Sequence, residues 1–219
     1  MKNATYILLV LLFVFSCNPR EEEWDYLFSL LSPSTTNIDF INQLTEDEQF
    51  NIIQYMYFNM GGGASAIYDH ELMINTDRYV LSDADLIPTG EIGPVEGSPL
   101  DFRTPKPIGA DIDKVEGGYD HCYVLDGDGR KARLAARVIH PESGRVMEVL
   151  TTEPGIQFYS SNFLEGLKGK GGQPYGKHQA LCLETQHYPD SPNHPEFPNT
   201  ILRPGETYTQ RTIYRFSTL

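Results

Sequence analysis

Arg133 to Thr151 reads RLAARVIHPESGRVMEVLT, and this stretch decides the fold class. Two runs of apolar and β-branched residues, Arg133 to Ile139 and Arg145 to Thr151, flank Pro141-Glu142-Ser143-Gly144. Such runs on either side of a Pro/Gly turn predict an antiparallel hairpin. The same texture extends outward in both directions. Short β-branched and aromatic runs, divided by Gly, Pro, Asn and Asp, fill the chain from Gly61-Gly62-Gly63 to its end. Asp126-Gly127-Asp128-Gly129 is another turn. It echoes an acidic calcium loop but lacks the later spaced ligands and the closing glutamate. Gly169-Lys170-Gly171-Gly172 is no phosphate loop, because no Lys-Ser/Thr follows and no helix pattern opens there.

Upstream the composition changes. Every glycine lies at position 61 or later, and only Pro19 and Pro33 precede that point. Two helices are predicted in this part. Glu22 to Leu31 spaces Trp24, Leu27, Phe28 and Leu31 at helical intervals. Thr45-Glu46-Asp47-Glu48 has capping-box form, ahead of a face shared by Phe50, Ile53, Tyr57 and Met60. Nothing in this segment is catalytic. It reads as a helical appendage or a partner-binding stalk.

The first residues read as an address. Lys2 precedes a ten-residue apolar run, YILLVLLFVF, too short for a comfortable membrane span and suited to a signal-peptide core. Val14-Phe15-Ser16-Cys17 resembles a bacterial lipobox. The resemblance implies removal of residues 1–16, lipidation of Cys17, and a protein anchored in a bacterial cell envelope by lipid alone, on the periplasmic or outer-membrane side. Residues 17–60 would then be tether and helical segment, and residues 61–219 the β domain.

The 219 residues carry 17 Lys+Arg against 30 Asp+Glu, a net charge of −13. That balance argues against nucleic acid and against a polybasic grip on anionic lipid. The length suits one domain with an appendage.

Alternation within strands places the polar side chains. In HQALCLETQHY (178–188), Leu181 and Leu183 share one face, and Ala180, Cys182, Glu184 and Gln186 the other. In GIQFY (155–159), Gln157 alternates with Ile156 and Phe158. From Tyr119 to Leu125, Asp120 and Cys122 share a face. Glu184, Gln157 and Asp120 are thus polar groups on otherwise apolar strands. Carboxylates and an amide beside aromatics suit a sugar, which offers hydroxyls to bond and C–H faces to stack. Cys122 and Cys182 each lie two residues from a carboxylate on the same strand face. A bridge between them stays open, provided their Cα atoms come within about 7 Å.

Specific strings sharpen this pattern: LIPTGEIGP (86–94), DFR (101–103), GYDH (118–121), ARV (136–138), TTEPGIQFY (151–159), GKGG (169–172), LETQHYPD (183–190), PNHP (192–195) and LRPGE (202–206). In this order and spacing they closely resemble the aldose 1-epimerase (galactose mutarotase) family, from about Tyr57 to Phe216. The resemblance implies an all-β fold, the C-terminal part of a galactose-mutarotase-like β-sandwich, behind the signal peptide and short helical segment. It implies a monosaccharide of glucose or galactose type on a concave face, with α and β anomers interconverted by acid/base ring opening. By position, Glu184 matches the family's general base. Asp120 matches the aspartate that bonds sugar hydroxyls, and Gln157 a substrate-side amide. No metal or organic cofactor is implied.

The departures from the family set a second expectation. The family's acid is a histidine in an Asn-His-x-Tyr-Phe-Asn strand, whereas this chain has Gln54-Tyr55-Met56-Tyr57-Phe58-Asn59, with Tyr55 at that place. The first 56 residues resemble nothing in the family, whose further half-domain supplies more sugar-holding residues. A tyrosine with an ordinary pKa near 10 is a poor acid at neutral pH. His70, His121, His187 and His194 fall within family-like strings and read as structural, while His140 sits at a turn and His178 opens the Glu184 strand. Impaired activity is therefore expected. Three readings stand: a weak or inactive mutarotase, a membrane-tethered sugar-binding module, or a non-functional fusion of a lipoprotein leader to part of an epimerase.

Overall fold

The computed structural model describes residues 66–166 and 174–219. The leader with Cys17, the 17–60 helical segment, Tyr55 and the 169–172 turn lie outside the described residues. Ten strands follow in order: β1 Glu71–Ile74, β2 Arg78–Ser82, β3 Pro88–Pro94, β4 Lys106–Pro107, β5 Asp120–Val124, β6 Arg133–His140, β7 Arg145–Thr151, β8 Gly155–Tyr159, β9 Cys182–Gln186 and β10 Thr212–Thr218. They form two five-stranded sheets, ordered β10-β7-β6-β1-β4 and β3-β2-β5-β8-β9. The pairings are antiparallel. The all-β expectation holds among the described residues, whose helical content is short 3-10 turns. None of their helices is long and apolar enough to cross a membrane.

The hairpin that decided the fold class is present. β6 pairs with β7 from Arg133↔Thr151 to His140↔Arg145, with a bulge between Leu134 and Ala136. Gly144 takes φ +66° in the turn and donates its N–H to His140 O. A side chain there would have to adopt a left-handed conformation that glycine enters without penalty.

The core lies between the sheets. Leu72, Ile74, Ala136, Val138, Met147 and Val149 from one sheet meet Tyr123, Ile156, Phe158 and Leu183 from the other, all essentially buried. Phe102, Tyr119 and Phe158 form an aromatic knot with centroids 5.0–5.6 Å apart. Burying a side chain such as Phe158 contributes about 1.5–3 kcal/mol.

One expectation is corrected and one open question is answered. The strand read over 178–188 is only Cys182–Gln186. His178 has φ +59° and is buried, its Nδ1 2.8 Å from Ser160 O and its N–H donated to Ser161 O. These bonds hold the preceding segment in a turn. Cys122 and Cys182 form no disulfide with each other, and both are buried. Cys122 opposes Gln157, whereas Cys182 opposes Tyr159, so β8 runs between them. Two strand spacings and a two-residue offset separate their Cα atoms by roughly 12 Å, beyond disulfide reach.

Candidate active site

The register of β5, β8 and β9 lays out the outer face of the second sheet as a grid. Asp120, Tyr159 and Cys182 form one row, Cys122, Gln157 and Glu184 the next, and Val124, Gly155 and Gln186 a third. Directly opposed residues share a face, so Asp120, Gln157 and Glu184 come together as expected. The alternate positions Tyr123, Ile156, Phe158 and Leu183 point into the core.

One end of the face is closed. Tyr188 and Phe197 pack over Val80, Cys122 and Val124 in a small apolar cluster. Gly155 makes this possible: a Cβ there would lie 3.1 Å from Cys122 Sγ, Gln186 O and Tyr188 Cδ1. The tyrosine therefore sits nearly on the strand backbone. The open end carries the polar groups.

There Gln157 donates through Nε2 to Asp120 Oδ1 over 2.7 Å, on the diagonal of the grid. Gln186 Nε2 lies 3.5 Å from Gln157 Oε1, extending the chain of amides. Glu184 is half-buried, and its carboxyl is raised above the ordinary carboxylate range. Burial is the main cause and the charge of Asp120 the second, opposed by a hydrogen bond from the Cys182 side chain. The backbone beside Glu184 is held from the other sheet, since Tyr214 of β10 donates its hydroxyl to Leu183 O over 2.7 Å.

Tyr159 shares this face and was missed by the sequence reading, although it stands two residues from Gln157. Its hydroxyl accepts the Phe163 N–H, and burial raises its pKa. A phenol that keeps its proton can donate to a ligand oxygen but gives the proton up poorly.

The histidines lie elsewhere. His121 neighbours Asp120 in the chain, so alternation sends it to the opposite face, where it meets Tyr79 edge-on at 6.1 Å. His187 Nδ1 is 2.8 Å from Glu153 Oε2, and Tyr208 donates its hydroxyl to the same carboxylate. His194 lies 3.3 Å from both Asp190 and Glu196. Among the described histidines, none falls on the β5-β8-β9 grid. Tyr55 lies outside the described residues.

The arrangement can hold a polyhydroxylated ring against Asp120 and Gln157 and remove a proton with Glu184. Comparison with known proteins bears on this chemistry. The aldose 1-epimerase family model matches residues 23–215. That match begins upstream of Tyr57, which corrects the reading that the first 56 residues resemble nothing in the family. The galactose mutarotase of Mus musculus is 46% identical over 183 residues, covering 82% of this chain and 53% of the relative. The aldose 1-epimerase of Escherichia coli is 41% identical over 174 residues, covering 76% and 50%. The crystal structure of a GalM/aldose epimerase homologue from C. elegans superposes with TM-score 0.67 at 31% identity, covering 74% of this chain and 50% of that one. The chain thus spans about half the length of the curated relatives it matches.

Proposed function

The chain belongs to the aldose 1-epimerase family, and we propose that it binds an aldose of glucose or galactose type and exchanges its anomers slowly. Glu184 removes the proton from the anomeric hydroxyl. The ring oxygen takes a proton from water as the ring opens, and the carbonyl rotates. Closure on the other face gives the second anomer, with Glu184 returning its proton to the carbonyl oxygen and the ring hydroxyl releasing its own to water. Asp120 and Gln157 accept and donate to neighbouring hydroxyls and fix the ring over Glu184. The observation that carries this reading is the grid itself, with a base of raised pKa one strand away from a hydrogen-bonded Asp–Gln pair. A base works best with a pKa near the working pH.

The rate is held down by Tyr55 at the place of the family's acid. Loss of a general acid costs about 10²–10⁴ in rate. The hydrogen-bonded Asp120–Gln157 pair also favours binding without turnover as a second reading, because it needs no acid. The apolar run and Cys17 support a tether to a bacterial envelope membrane, with the sugar as the soluble partner.

Calorimetry with D-galactose and D-glucose tests the binding step. Saturable heat is expected, weakened about 10–100-fold by Asp120→Ala, the equivalent of a hydrogen bond to a charged group. Absence of heat for both sugars would remove the proposal.

A further inference from the structure

We propose that Asp69, His70 and His140 form a binding site for a borderline divalent transition-metal ion, with Zn(II) as its simplest occupant. The site lies on the sheet opposite the sugar-facing grid, and neither the family chemistry nor the sequence motifs call for it. Two strands build it. Glu71 opposes Ile139, which brings His70 and His140 together at the ends of β1 and β6, ring centroids 4.7 Å apart. Both side chains are essentially buried. Asp69 closes the group from the 3-10 turn Ile67–Asp69, with Oδ1 2.9 Å from His70 Nδ1 and Oδ2 3.3 Å from His140 Nε2. One ligand atom from each residue falls within 4.8 Å of the others.

Two imidazoles and one carboxylate are a zinc donor set. A bound ion replaces the two contacts of Asp69 by three bonds that converge on one point. The partly exposed Asp69 leaves a fourth position open to water. His140 also has the outer support that metal-bound histidines use. Its Nδ1 is 2.8 Å from Ser143 Oγ, so with Nε2 on the ion the Nδ1 proton goes to that hydroxyl. The longer approach of Ser143 N to the same nitrogen, 3.2 Å, gives way in that tautomer. Hard cations such as Mg(II) prefer all-oxygen sites and are excluded by the two imidazoles.

The test is titration of the full chain, stripped by chelator, with Zn(II), and with Co(II) for its visible d–d spectrum. One ion per chain is expected, with nitrogen-ligated Co(II) absorption and a raised unfolding midpoint. Ser143→Ala keeps all three ligands and should weaken binding about 10–100-fold, the usual effect of losing outer support. Asp69→Asn, at a partly exposed position that tolerates substitution better than the buried histidines, should weaken it at least as much. His194→Ala removes a histidine outside the site that has two carboxylates beside it and should change nothing. Absence of saturable binding overturns the proposal. So does a site that survives Asp69→Asn unchanged, or one that His194→Ala abolishes.

Discussion

Gln157 Nε2 donates to Asp120 Oδ1 at 2.7 Å between neighbouring strands, and this bond joins residues 37 positions apart in the chain into one polar unit. Gln157→Ala frees the Asp120 carboxylate to solvent and removes an amide from the face. Galactose affinity is expected to fall about tenfold, near the lower end of what a hydrogen bond to a charged group contributes. Calorimetry on the variant measures it, and unchanged affinity would show that the amide faces no hydroxyl.

Glu184 links stability to pH with a definite sign. Burial, then the charge of Asp120, raises its folded pKa. The folded state therefore holds the proton to higher pH than the unfolded state does. Stability falls as pH rises from the ordinary glutamate value, about 4.3, through the folded pKa. Glu184→Gln should raise the unfolding midpoint at pH 7, and the gain should vanish at acidic pH. The catalytic rate should move the opposite way with pH, rising as Glu184 ionises, with its acid limb above the ordinary carboxylate range. Thermal scans and rate profiles over the same buffers separate the two effects.

A side chain at Gly118 would be strained and would displace its neighbours. The glycine adopts φ +88°, and a Cβ there would lie 2.2 Å from Asn162 Oδ1. Asn162 in turn donates to Tyr119 O and accepts from Ser160 Oγ, fixing the backbone that leads into Asp120. Gly118→Ala is expected to cost at least about 1–3 kcal/mol from backbone strain and to weaken sugar binding by shifting Asp120. Denaturant unfolding measures the first, calorimetry the second.

Asp111 accepts from Lys106 Nζ at 2.6 Å and from Lys114 Nζ at 2.7 Å. These bonds lower its carboxyl to about 2. Lys106 also donates to Pro99 O and sits 4.5 Å from the centre of the Phe102 ring. A depressed carboxyl stabilises the fold above the ordinary aspartate value of about 3.9, and the contribution is lost as pH falls toward 2. Asp111→Asn should lower the unfolding midpoint near pH 6 and match the wild type near pH 2.

The hairpin and the faces of Asp120, Gln157 and Glu184 were legible because turn chemistry and period-two alternation are local. The same alternation reaches Tyr159, which was passed over because it ends its run. Register was not legible. Whether Asp120 opposes Tyr159 or Gln157 depends on the turns and loops between strands, and that choice both aligns the site and keeps the cysteines apart. The closure by Tyr188 and Phe197 was hidden for a similar reason: it joins residues far apart in sequence and rests on Gly155, whose role is visible only once the tyrosine lies over it. The turn at His178 comes from bonds to Ser160 and Ser161, again across the chain.

The most direct measurement is polarimetry of freshly dissolved α-D-galactose with wild type and Glu184→Gln, beside the Escherichia coli aldose 1-epimerase as reference. Acceleration over buffer is expected, about 10²–10⁴ below the reference, and lost in Glu184→Gln. A rate equal to buffer, or an acceleration that Glu184→Gln leaves intact, would contradict Glu184 as the base.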